Sequence, residues 1–227
     1  SDFARASGQV AAFDDTPGWA RARADRMGVM IDSAAYFRAA LDALDQAKRS
    51  VWLIGWTFDP RTKLDPTDTE RDTRIGTVLK TLADERPELD IRILVWNAGG
   101  LAHLARRFQP ALARGWFSDS NVHFATDSTL SFGAAMHRKL LVVDDEVAFT
   151  GGINICDAYR NESWEKRMRD VLEDGWRDTH VRITGPAVEG FRRIFESNWE
   201  RQSGDETADE LSFPEPSCTG GERVATL

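Results

Sequence analysis

The chain has 227 residues, 41% of them hydrophobic and 29% charged, with a net charge of −8. That is enough for one domain with a real core and too little for two ordinary ones. No apolar run approaches the roughly 20 residues a membrane helix needs, and the acidic balance disfavours a large non-specific nucleic-acid surface. The first residues show no basic start followed by an apolar stretch, so no signal peptide is visible. The compartment stays open between the cytoplasm and the membrane periphery.

In chain order, residues 1–28 are polar and broken by Pro17 and Gly18, and read as a leading arm, with a short strand beginning at Met27. Asp32 or Ser33 is expected to cap a helix running to about Lys48, with Tyr36, Phe37, Ala40, Leu41 and Leu44 on one face. The apolar run 51–58 suits a strand buried on both faces. A polar loop with Pro60 and Pro66 follows, then a helix from about Thr73 to Glu85, stopped by Pro87, and a strand over 90–96. Further on come a helix over 101–114 and a strand at Asn121–Thr126. A Ser, Thr and Gly-rich loop (127–135) leads into Met136–Asp144, where His137, Lys139, Leu141 and Val143 are expected on one strand face. Asp144–Glu146 reads as a tight turn and Val147–Gly151 as the returning hairpin strand. The run 162–178 reads as a solvated helix or flap. A strand at 177–185 and a helix from Gly185-Pro186 to about Arg201 complete the domain. The alternation predicts an α/β fold, a mixed but largely parallel sheet flanked by helices on both faces, over residues 29–201. Residues 202–227 read as an acidic, flexible linker or tail. Cys156 and Cys218 form no metal spacing and no disulfide framework, and read as unpaired thiols.

One constellation carries chemistry. His137-x-Lys139, then Asp144 five positions later, gives H-x-K-x-x-x-x-D, and Gly151-Gly152-Ile153-Asn154 follows at fixed spacing. With four His, five Lys and 23 Asp in the chain, chance gives roughly 0.01 matches to the eight-residue pattern alone. The pattern resembles the signature of the phospholipase D superfamily. Val51–Pro60 also resembles the Trp-Gly-Trp strand opening the N-terminal half of many such enzymes, Asp90–Asn97 its next strand, and Trp176–Val188 its late Asp-bearing strand and helix start. The resemblance spans about residues 29–200 and points to the N-terminal half of a bacterial two-repeat enzyme.

A phosphodiester is anionic and repels nucleophiles. Cleaving it without a metal needs a nucleophile, positive charge on the non-bridging oxygens and an acid for the leaving group. Alternate strand positions point the same way, so His137 and Lys139 would enter one pocket. Asn154 could donate an amide N–H to the same phosphate, and Gly151 and Gly152 let the backbone approach closely. The resemblance implies finer roles. His137 would be the nucleophile that forms a phosphohistidine, and Asp144 would be structural. An acid on the late strand, by position Asp178, would orient the nucleophilic imidazole. No cofactor and no metal is called for.

The resemblance also implies a site built from two motif copies, and this chain holds one, because His103, His123 and His180 lack a Lys two positions on. The second must come from a C-terminal half or from an identical subunit. His103 and His123 read as structural, as does His180, which is placed on the same strand face as Asp178. Trp52, Trp56 and Trp96 read as core, with Trp56 a candidate for the pocket mouth. The expected substrate is a phospholipid diester, hydrolysed or transferred to another alcohol, with at most peripheral membrane contact. A nuclease-type phosphodiesterase is the alternative, and a basic groove from Arg106, Arg107 and Arg114 would favour it. A catalytically incomplete, phosphate-binding half is the non-enzymatic reading, and an unrelated α/β domain the last.

Overall fold

A computed structural model of the chain describes residues 21–96, 104–127, 136–156, 177–203 and 224–226. The expected flap at 162–178, apart from Arg177 and Asp178, lies outside the described residues, as do most of the loop 127–135 and most of the tail.

The strands are β1 (Arg21–Arg23), β2 (Arg26–Ile31), β3 (Ser50–Gly55), β4 (Asp90–Trp96), β5 (His123–Asp127), β6 (Leu140–Val143), β7 (Val147–Gly151), β8 (Thr179–Thr184) and β9 (Val224–Thr226). The helices are α1 (Asp32–Gln46), α2 (Ile75–Glu85), α3 (Leu104–Trp116) and α4 (Ala187–Ser203). Seven strands form one sheet in the order β2-β8-β7-β6-β3-β4-β5, while β1 and β9 pair separately as a small antiparallel ribbon. The sheet therefore starts at Arg26, inside the segment read as an arm.

The sheet is mixed, but mostly antiparallel, which corrects the largely parallel expectation. Only β3–β4 and β4–β5 run parallel, and the other four neighbour pairs are antiparallel. The reason lies in the connections. A crossover helix returns the chain to the same end of the sheet and makes the next strand parallel, as α2 and α3 do. The tight turn at Asp144–Glu146 forces β7 to run back beside β6. Asp144 and Asp145 take φ values of 57° and 59°, the left-handed pair at the centre of a turn closed by the Glu146 N–H donating to the Val143 carbonyl.

Alternation along the strands separates two cores. Val51, Leu53, Ile91, Ile93, Leu141, Val143 and Phe149 face α1, α2 and α3. Ile54, Leu94, Leu140, Val142, Ala148 and Ile183 face α4 through Val188, Phe191 and Phe195. Helices thus cover both faces, and β3 in mid-sheet is buried on both, as its continuous apolar run predicts. The expected cap of α1 is absent. Ile31 occupies the N-cap position with no side-chain cap, and Asp32, at φ 66°, pairs instead with Arg177. Among the described residues no helix is long and apolar enough to cross a membrane.

Candidate active site

The end of β3, the approach to β6, the end of β7 and the approach to β8 meet at one end of the sheet. Their register makes this so: Ile54 pairs with Leu140, Leu140 with Thr150, and Gly151 with His180. His137 and Lys139 lie just before β6, which begins at Leu140, one residue past the expected face. Their side chains nonetheless converge, with Lys139 Nζ 3.0 Å from His137 Nε2 and 3.2 Å from the His137 carbonyl oxygen. Arg138, between them, points the other way and donates to Asn198 Oδ1 on α4 at 2.9 Å.

Lys139 is buried, at 4% exposure, while His137 is exposed. An ammonium loses hydration on burial, which disfavours its charge. Burial accordingly holds Lys139 below the usual lysine range, opposed by the negative charges of Asp178 and Cys156. His137 is held below the ordinary histidine value by partial burial and then by the Lys139 charge, with Asp178 pulling the other way. The His137 shift favours a neutral imidazole, whereas the Lys139 shift works against its ammonium, which Asp178 supports; an ammonium donating to Nε2 marks that nitrogen as the one with the lone pair.

Trp56, just past β3, walls the pair. Its ring lies 5.2 Å from the His137 ring and 5.6 Å from Lys139 Nζ, and it stacks on Trp96 at 5.9 Å. Sequence placed Trp56 in an apolar run, and only its position at the strand end hinted at the pocket.

Asn154 is 1% exposed, and its Oδ1 accepts the Thr57 N–H at 3.2 Å, tying the loop after β7 to the loop after β3. At Gly152 a Cβ would collide with the Asp178 carboxylate. Gly151 is equally constrained, because a Cβ there would strike the Thr179 carbonyl and lie 2.8 Å from His180 Nδ1. Asp178 Oδ1 accepts the Thr179 N–H at 2.7 Å, and no hydrogen bond joins its carboxylate to His137. Its influence on His137 and Lys139 is through charge.

Asp144 sits at the opposite end of β6. Its carboxylate accepts the backbone N–H groups of Lys48, Arg49 and Ser50 at 2.8, 2.6 and 2.9 Å. The structure thus brings His137, Lys139, Asn154, Gly151, Gly152 and Asp178 together and leaves Asp144 apart. Arg114 donates to Thr126 Oγ1 at 3.4 Å, on α3, and the side chains of Arg106 and Arg107 lie outside the described residues.

No protein-family model matches the chain. A cardiolipin synthase of Alkalihalophilus pseudofirmus is 36% identical over 87 residues, covering 38% of this chain and 16% of that one. Phospholipase D zeta 1 of Arabidopsis thaliana is 24% identical over 224 residues, covering 81% of this chain and 20% of that one. The chain therefore spans a fifth or less of these two curated relatives. Among solved structures, Nuc from Salmonella typhimurium, a phospholipase D family member, shares the fold with a TM-score of 0.52 at 21% identity, over 78% of this chain and 96% of that one. On these matches, the chain is similar in sequence to phospholipase D-type enzymes over part of their length and shares the fold of a phospholipase D family member.

Proposed function

We propose that this chain supplies one half of a metal-independent site that cleaves phosphodiesters through a phosphohistidine on His137. The observation that carries the proposal is the 3.0 Å contact between Lys139 Nζ and His137 Nε2 at the end of the sheet where Asn154 and Asp178 also lie. In the first step the Nε2 lone pair attacks phosphorus. The P–N bond forms and the bond to the leaving alcohol breaks, with the histidine of a second motif giving that oxygen its proton. Lys139 turns its ammonium from Nε2 to a non-bridging oxygen. Asn154 commits its carbonyl end to Thr57, so its amide N–H edge is the one suited to the phosphate. Asp178 stabilises the imidazolium as it forms. In the second step water, or an acceptor alcohol, deprotonated by the second histidine, attacks phosphorus and restores neutral His137.

The names of the curated relatives support a phospholipid diester as substrate, with hydrolysis or phosphatidyl transfer as the outcome. Both are more than twice as long as this chain, which supports a second motif from a C-terminal half. The 96% coverage of Nuc supports a second reading, in which an identical subunit supplies it.

The test is turnover of bis(p-nitrophenyl) phosphate in EDTA, by this chain alone and with an added C-terminal half bearing its own motif. Turnover by the chain alone, lost on His137→Ala, means two copies complete the site. Turnover only after the addition means a two-repeat enzyme. Turnover that survives His137→Ala, or that EDTA abolishes, sinks the proposal.

A further inference from the structure

His180 reads from sequence as a structural residue, yet it meets the loop that carries Asn154 at Gly151 and at Ile153. It is fully buried on β8, opposite Gly151 in the strand register. Its ring stacks on Tyr36 of α1, centroids 3.9 Å apart and 19° from parallel. Its Nδ1 accepts the Ile153 N–H at 3.3 Å. The same nitrogen lies 2.8 Å from where a Cβ at position 151 would stand, with the Thr179 carbonyl oxygen closer still, so the strand and ring fit against position 151 because it is glycine.

A ring nitrogen that accepts a hydrogen bond must be unprotonated, which puts the proton of the neutral ring on Nε2. That Nε2 is buried and has no hydrogen-bond partner among the described residues. A buried donor without a partner is costly, so the site is specialised around the other nitrogen. Burial, and then the nearby Lys139 charge, push the imidazole down to about pKa 3, opposed by a backbone hydrogen bond at Thr179. The acceptor on Nδ1 is therefore present across the neutral range.

We infer that His180 is a positioning residue: through Nδ1 it fixes the loop from Gly151 to Asn154, and so sets where Asn154 and the Asp178 carboxylate stand around a bound phosphate. This rests on the function proposed above. The Ile153 N–H is one residue from Asn154, and Gly152 N–H is held by the Thr179 carbonyl at 3.0 Å. With Tyr36 behind the ring, the loop is clamped between α1 and β8.

Two variants separate the acceptor from the bulk. His180→Phe keeps an aromatic ring against Tyr36 and loses the acceptor. His180→Asn loses the ring and can keep an oxygen near the Nδ1 position. The probe is orthovanadate, titrated while the backbone amides of Ile153 and Asn154 are followed by NMR. We expect His180→Phe to weaken vanadate binding by roughly ten-fold or more, with the Ile153 amide shifted upfield and exchanging faster. We expect His180→Asn to recover most of the affinity. Equal binding by wild type and His180→Phe, or a His180→Asn variant as weak as His180→Phe while both remain folded, overturns the inference. Wild-type protein whose amides do not respond to vanadate at all overturns the proposed site itself, which is a separate result.

Discussion

At one end of β6, Lys139 reaches His137 and lies beside the Trp56 ring. At the other end Asp144 takes three backbone N–H groups from the turn between α1 and β3, and the Arg49 guanidinium caps its carbonyl. The two ends belong to a single sequence motif, yet five residues of extended chain put them roughly 17 Å apart. One end holds groups suited to meeting a phosphate. The other holds the hairpin of β6 and β7 against the start of β3, so that the first end is in register. In space the motif is a site and its anchor.

That difference can be broken in two ways. His137→Ala removes the proposed nucleophile from an exposed position. Turnover of the completed enzyme should fall by roughly 10⁴-fold or more, while thermal stability stays within about 0.5 kcal/mol. Asp144→Ala should do the reverse. It leaves three N–H groups without their acceptor, at a cost on the order of 3 kcal/mol, seen as a lower denaturant midpoint. Activity per folded molecule should fall far less than in His137→Ala. An Asp144→Ala protein of unchanged stability would refute the anchoring role.

The burial of His180 makes a smaller and pH-graded prediction. Its native pKa, about 3, lies below the ordinary value of 6.5. The unfolded chain therefore binds a proton that the folded chain refuses. Stability is full above about pH 6.5 and declines as pH falls toward 3, with a slope of up to about 1.4 kcal/mol per pH unit from this group. Urea unfolding at pH 7 and pH 5 should show this loss in wild type. In His180→Phe the component should vanish, leaving a flatter profile. An identical pH slope in both proteins would mean the imidazole is not held neutral.

How far the site was legible depended on where each signal lived. His137, Lys139, Gly151, Gly152 and Asn154 lie within 18 consecutive positions, and a strand followed by a tight turn is enough to bring them together. Asp178 needed a resemblance, because nothing local to it says which strand end it faces. The helix–strand alternation up to β5 revealed the α/β class. It could not reveal that β6 enters antiparallel beside β3, since direction depends on a connection and an apolar run such as Leu140–Val143 reads the same both ways. His180 was hidden for a different reason, and Trp56 was only half legible, as a candidate for the pocket mouth. Each has a bland reading within its own segment, as a core aromatic or an inward strand residue, and only contacts across the sheet end distinguish them. The α1 cap failed because Asp32 takes a positive φ and turns its carboxylate to Arg177.

The smallest expected effect concerns Trp56. Its ring lies against an ammonium that burial disfavours, and a cation–π contact stabilises the charged form by about 1 kcal/mol. The titratable groups around Lys139 are His137 before β6, Asp178 before β8, His180 within it and Cys156 after β7. Only Asp178 and Cys156 favour the ammonium. If His137 must be neutral and Lys139 charged, the rate of His137 phosphorylation rises through an acid limb below the ordinary histidine value. It falls through an alkaline limb below the ordinary lysine value. Trp56→Leu withdraws the cation–π support and lowers the Lys139 pKa, so the alkaline limb should move to lower pH. Trp56→Phe retains a π-face and should stay near wild type. The pH dependence of kcat/KM for the three proteins, with the completed site, makes the check. A limb that does not move in Trp56→Leu would reduce Trp56 to packing, and would leave Asp178 and Cys156 as the groups that keep Lys139 charged.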